Sequence, residues 1–168
     1  MKKMLVILCA LTLITVSPAQ AQTDFTAYCG ATPVLSVTYD EGSLRLDTDS
    51  YLGSSRGGHQ WLGMFYNSAY TVELAADQYR DLPADSSPEQ LSAYLCAAMQ
   101  GDGASPVEIY RGGSLSFAVI SLSRPSGSSY YAAALSKGYV VYFEIYNLRG
   151  GVDASALSTL KALLNGVK

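Results

Sequence analysis

The sequence predicts an α+β protein, with a single antiparallel β-sheet, two main helices packed on it and one disulfide. Three observations predict it. Eight short apolar stretches carry strand character and are separated by tight, often glycine-bearing turns. Only two stretches keep helical spacing. Two cysteines remain in the chain once an export signal is removed. Clustered strands with few helices favour a sheet covered by helices over a wound parallel sheet.

The export signal comes first. Met1-Lys2-Lys3 is a positive head and Met4 to Val16 an uncharged apolar run. Pro18 breaks the helix, and Ala19-Gln20-Ala21 fits the small-x-small cleavage rule, which places cleavage before Gln22. The apolar run is too short for a membrane anchor, which needs about 20 apolar residues. Residues 1–21 are therefore expected to be a signal peptide and residues 22–168 a single domain, periplasmic or secreted, with no membrane span.

Thr32 to Tyr39 and Ser43 to Asp47 read as a hairpin turning at Asp40-Glu41-Gly42. Gln60 to Tyr66 and Ala69 to Leu74 read as a second hairpin around Asn67-Ser68. Gly53 to Gly58 is expected to be the loop between them. Ser87 can cap a helix, with Pro88 at its first position and Gln90 completing a capping box. Leu91, Tyr94, Leu95, Ala98 and Met99 then share one helical face, and Gly101-Asp102-Gly103 ends it.

Four strands follow: Val107 to Arg111, Leu115 to Ser123, Ser128 to Leu135 and Tyr139 to Tyr146. Their links, of two to four residues, force antiparallel neighbours, because a parallel return needs a crossover of about a dozen residues. A last helix runs from the cap Asp153 to Leu164, with Leu157, Leu160 and Leu164 on one stripe.

Cys9 leaves with the signal, so Cys29 and Cys96 are the remaining pair. In an oxidising compartment such a pair is expected to form a disulfide. It would tie the helix after Ser87 to the first strands and stabilise by about 4 kcal/mol in the chain-entropy model. A redox or metal pair is the alternative, but there is no C-x-x-C spacing and His59 is the only histidine.

Composition excludes several functions. The formal charge of −3 becomes −5 once Lys2 and Lys3 are gone, so no basic stripe is available for nucleic acid. Residues 22–108 carry a net −9 and residues 109–168 a net +4. Either composition drift or a dipolar partner surface accounts for that asymmetry.

No G-x-S-x-G elbow surrounds any serine, and any triad would have to use His59. The segment Ser54-Ser55-Arg56-Gly57-Gly58 lacks the Lys-Ser/Thr ending of a phosphate loop. No calcium loop is present. No catalytic residue, metal or cofactor is expected. Glu144 is the only acid within the apolar strand 139–146: ordinary if it faces solvent, a candidate general acid if buried.

Thirteen tyrosines against four phenylalanines and one tryptophan form a distinct bias. Tyrosine suits half-buried strands, and it also gives binding surfaces rigid amphipathic area. Tyr142 and Tyr146 share a strand face with Glu144, and Tyr131 is expected opposite. These four residues are the first candidate surface for a protein partner or small ligand of the cell envelope.

Two resemblances add to this. The order helix, meander, helix from Ser87 to Lys168, with Tyr130-Tyr131-Ala132-Ala133-Ala134-Leu135 before Lys137-Gly138-Tyr139-Val140-Val141-Tyr142, resembles the second half of the Mog1/PsbP-like α/β/α sandwich family. That family serves mainly as a non-catalytic binding module, which the resemblance implies here.

Tyr28-Cys29 followed by Leu35-Ser36-Val37-Thr38-Tyr39, with Ser126-Gly127-Ser128-Ser129-Tyr130 and Lys137-Gly138, is similar to periplasmic lysozyme inhibitors of the MliC type. That likeness implies enzyme inhibition through the 124–129 loop, with Ser126 and Ser128, together with Lys137. The chain departs from it by the helix after Ser87 and by a cysteine that precedes the serine loop. The sequence thus points first to an exported, non-catalytic binding module. An inhibitor is the alternative, and a hydrolase using His59 the third reading.

Overall fold

The computed structural model describes residues 21–49, 55, 56, 58–147 and 149–168. The expected signal segment up to Gln20, and residues 53, 54 and 57 of the expected Gly53–Gly58 loop, lie outside the described residues. The elements in order are β1 (Gln22–Cys29), β2 (Thr32–Asp40), β3 (Arg45–Asp47), β4 (Ser55–Arg56), β5 (His59–Tyr66) and β6 (Tyr70–Asp77). Then come α1 (Pro88–Ala98), a short 3-10 turn (Gln100–Asp102), β7 (Ser105–Gly112), β8 (Leu115–Arg124), β9 (Gly127–Ser136), β10 (Tyr139–Asn147) and α2 (Ala154–Asn165).

The main sheet runs β3-β5-β6-β10-β9-β8-β7, with β4 also pairing β5, and every ladder is antiparallel. The chain leaves the sheet at β6, crosses through α1 to the far edge, and meanders back until β10 pairs with β6. Because strand side chains alternate, each central strand feeds two different cores. Val72, Leu74, Phe117, Val119, Ala132, Val141 and Phe143 face one side, where α2 lays Ala156, Leu160, Leu163 and Leu164 on them. Ala118, Ile120, Leu122, Tyr131, Ala133 and Tyr142 face the other, where α1 brings Leu91 and Leu95. Each fully buried leucine contributes about 2 kcal/mol of apolar burial.

Both helix starts form as their sequences dictate. Ser87 Oγ accepts from the Gln90 amide at 3.3 Å while the Ser87 amide donates to Gln90 Oε1 at 2.8 Å. Asp153 caps α2, accepting from the Ala156 amide at 2.9 Å and from the Tyr70 hydroxyl at 3.1 Å.

The expected single sheet is corrected to two, in a mostly β protein with 54% strand and 19% helix. The second sheet is the pair β1–β2, in register from Gln22↔Asp40 to Cys29↔Thr32. Residues 22–29 supply a strand the sequence reading leaves unassigned, and it takes the partner expected for Thr32–Tyr39. The turn after Asp40 becomes a corner, held by the Gly42 amide on Asp40 Oδ1 at 2.9 Å, and β3 pairs with β5 instead. The two-stranded sheet closes over the α2 side, burying Ala27, Leu35, Val37 and Tyr39 in the same core.

The chain's end ties the layers together. The Thr38 amide donates to the Gly166 carbonyl at 2.8 Å and the Ser114 amide to the Val167 carbonyl at 3.0 Å. Gly113 sits at φ +57° where a Cβ would lie 1.8 Å from the Val167 carbonyl oxygen.

The expected disulfide is also overturned: Cys29 and Cys96 are free thiols. Cys29 ends β1 within the core on the α2 side, whereas Cys96 rides on α1 against the opposite core. The main sheet lies between them. Packed layers are about 10 Å apart, beyond the roughly 7 Å Cα limit for a bridge. Among the described residues, no helix is long and apolar enough to cross a membrane.

Candidate functional site

Strict alternation along β10 sends Tyr142, Glu144 and Tyr146 to the α1 side of the sheet, and alternation along β6 sends Glu73, Ala75 and Asp77 the same way. Antiparallel register then sets Glu144 directly opposite Glu73 on one neighbour and Tyr131 on the other. Helix α1 packs over β7, β8 and β9. A polar cavity of about 300 Å³ opens beside the turn between β8 and β9. Glu73, Arg124, Ser126, Ser128, Glu144 and Tyr146 are among its lining residues.

The cavity's charges are held in place. Arg124, at the end of β8, donates from Nη1 to Glu144 Oε1 at 2.5 Å, and its Nε lies 3.2 Å from Asp102 Oδ2. Ser129 Oγ donates to the same Glu144 oxygen at 2.7 Å. The Glu144 side chain is only 13% exposed, so the pair sits in a partly desolvated setting where an ionic hydrogen bond counts for more than at the surface. Glu73 accepts from the Tyr146 hydroxyl at 2.8 Å through Oε1. Burial raises the Glu73 carboxyl above its ordinary value. The Tyr146 hydrogen bond opposes that and the Glu144 charge adds to it. Ser128 Oγ accepts from the Val152 amide at 3.1 Å, which pins the rim.

The structure thus brings together Ser126, Ser128, Glu144 and Tyr146. It does not bring Tyr131, Tyr142 or Lys137 to the same surface. Tyr131 and Tyr142 stack on each other at 4.4 Å and are buried against α1, which raises both phenols through desolvation. The Tyr131 hydroxyl has no hydrogen bond among the described residues. Lys137 is exposed in the turn between β9 and β10. The serine loop is at the other end of the ten-residue β9, a separation of about 30 Å for an extended strand.

Sequence reasoning passed over Glu73, Asp102, Ser129 and Asp77. Glu73 had the same signal as Glu144, a lone acid within an apolar strand, and its direct partner is visible only through the register. Asp77 lies beyond Leu74, where the second hairpin is expected to end, and the strand in fact runs on to it. In the structure it accepts from His59 at Nδ1, 2.8 Å away, and Tyr79 donates to its other oxygen at 3.3 Å. The Tyr142 hydroxyl is 3.3 Å from the same ring nitrogen, and Trp61 meets the ring edge-on at 4.9 Å. His59 is therefore a braced, half-buried histidine.

Among the described residues, no three His, Cys, Asp or Glu side chains converge as a metal set. No protein-family model matches the chain and no curated protein matches it in sequence, so no relative lends the cleft a ligand.

Proposed function

We propose that the protein is an exported binding module whose cleft, between the β8–β9 turn and strands β6 and β10, takes a small polar ligand. The observation that carries this is the Glu144 side chain: it lines an open cavity, yet it is fixed by Arg124 and Ser129 before any ligand arrives. Preformed cavities of about this size with a few fixed polar groups are where small ligands bind. The pre-set ion pair spares a ligand the cost of ordering those side chains. Export rests on the pattern of residues 1–21. The order α1, β7 to β10, α2 is the one on which the resemblance to the Mog1/PsbP-like family rests, and that family's use for binding agrees with this reading.

The inhibitor reading needs the serine loop and Lys137 to enter one cleft, and they lie at opposite ends of β9. A hydrolase built on His59 has the Asp77 bond in its favour. It lacks, among the described residues, a hydroxyl or thiol bonded to the ring's other nitrogen.

The test is amide chemical-shift mapping on the chain from Gln22, titrated with monosaccharides, amino acids and polyamines. Shifts clustered at Gly127–Ser129 and Glu144, and lost in Glu144→Gln, support the cleft. Saturable shifts centred elsewhere, or none with any class, would overturn it.

A further inference from the structure

The two glutamates in the cleft are alike in sequence and unlike in setting. They are register partners on adjacent antiparallel strands, so they leave the same face side by side. Directly opposite residues have Cβ atoms about 4.5–5.5 Å apart. Among the described residues both bonds to Glu144, from Arg124 and Ser129, fall on Oε1, and Glu144 lines the cavity. Glu73, which also lines the cavity, is held through Oε1 by Tyr146. One carboxyl is thus braced by a guanidinium, and the other is held by a phenol with, among the described residues, no cation bonded to it.

Resting on the binding reading above, we propose that this cleft hydrolyses an acetal, specifically a glycosidic bond, with Glu144 as nucleophile and Glu73 as general acid. The register pairing sets both carboxyls on one wall of the cavity, and a pair of carboxyls is what glycoside hydrolysis uses. In the first step Glu144 Oε2 attacks the anomeric carbon while the bond to the leaving oxygen breaks, and the Glu73 proton passes to that oxygen. The product is a glycosyl ester on Glu144 and a free alcohol. In the second step water, deprotonated by Glu73, attacks the same carbon. The ester bond breaks, its electrons return to Glu144, and Glu73 regains its proton. Water is the only co-reactant.

Burial is the largest influence on Glu73 and raises its proton affinity; its charged neighbours act in both directions. Glu144 faces it from β10 and raises its proton affinity, while His59 on β5 and Arg124 on β8 act in the other direction. Tyr146 donates to the oxygen that is not transferring the proton. Two carboxyls in one site with unlike partners, a guanidinium on one and a phenol on the other, are the arrangement from which a nucleophile and an acid can be assigned. Arg124 and Ser129 steady the carboxylate as it departs from the sugar in the second step, a charge-stabilising role that needs no movement.

The experiment uses cyclitol epoxides of gluco, galacto and manno configuration on the chain from Gln22. Opening such an epoxide needs the same acid and the same nucleophile. At least one of the three is expected to add a single cyclitol ester, mapped by peptide mass to Glu144. Glu144→Gln should abolish it, and Glu73→Gln should slow it by at least about 100-fold. Both variants are near-isosteric, and an unchanged thermal midpoint for Glu144→Gln shows that the loss is chemical. No ester with any of the three, or labelling spread over other carboxylates, overturns the proposal. If amide shifts still report cyclitol in the cleft, catalysis fails while binding stands. If neither ester nor shifts appear, both readings fall for this ligand class.

Discussion

Glu73 and Glu144 stand directly opposite each other across the β6–β10 ladder, on the face of the sheet that α1 packs over at β7, β8 and β9. Like charges in that relation destabilise a sheet. Arg124 relieves one of them and leaves the other to its buried surroundings.

That leaves a pH signature. Burial raises Glu73, so the native chain keeps this proton to higher pH than the unfolded chain does. The stability it contributes is complete below the ordinary glutamate value of 4.5 and is lost as pH rises through the raised native value. Glu73→Gln removes the penalty. At pH 7 it should raise stability by roughly 0.2–1 kcal/mol, and the gain should vanish below pH 4.5. Urea midpoints at several pH values check this, and a gain that grows toward acid would contradict it.

Arg124 should matter for the fold as well as for the cleft. Arg124→Met leaves Glu144, 13% exposed, facing Glu73 without its cation. The expected cost is about 2 kcal/mol, below the roughly 3–5 kcal/mol for breaking a fully buried pair because Arg124 itself is 30% exposed. Adding Glu144→Gln should recover at least half of it. A double-mutant cycle with no coupling would show that the pair is idle.

The two thiols should titrate separately. In guanidinium the chain from Gln22 should show two reactive thiols, Cys29 and Cys96. In the native protein Cys96, on the flank of α1, should react first. Cys29 is 3% exposed and should react only as the chain opens. Burial raises both thiols, so each reaction should be slow at neutral pH. A protein with no reactive thiol after unfolding would contradict the structure.

The carboxyl-terminal latch predicts a contrast between two glycines. Gly113→Ala drives a methyl group against the Val167 carbonyl at a left-handed φ, and should cost more than about 3 kcal/mol or prevent folding. Gly138→Ala has the same kind of φ, +81°, but nothing within 4 Å, and should cost only about 1 kcal/mol. Thermal midpoints of the two variants measure the difference.

Much of the chain was legible locally. The Ser87 capping box, the Asp153 cap and the four-strand meander depend on neighbours within a few residues, and they form where the residues place them. The face of Tyr142, Glu144 and Tyr146 followed from alternation alone. What alternation could not say is whether the face is covered. Helix α1 and the Tyr131 ring bury Tyr142, while Glu144 lines an open cavity two residues farther on.

By itself the sequence determined the periodicities, the caps and the turns, because propensity and capping act over a few residues. The tertiary structure decided which strand pairs with which, the side of the sheet on which each cysteine lies, and which acid meets which base. Residues 22–29 capture β2, and that closes a second sheet over the α2 side, leaves Cys29 and Cys96 on opposite sides of the main sheet, and turns β3 toward β5. Glu73 and Glu144 are seventy-one residues apart, and Arg124 reaches them from a third strand. Such contacts come from register between distant strands, set by the two buried cores together and not by any local pattern.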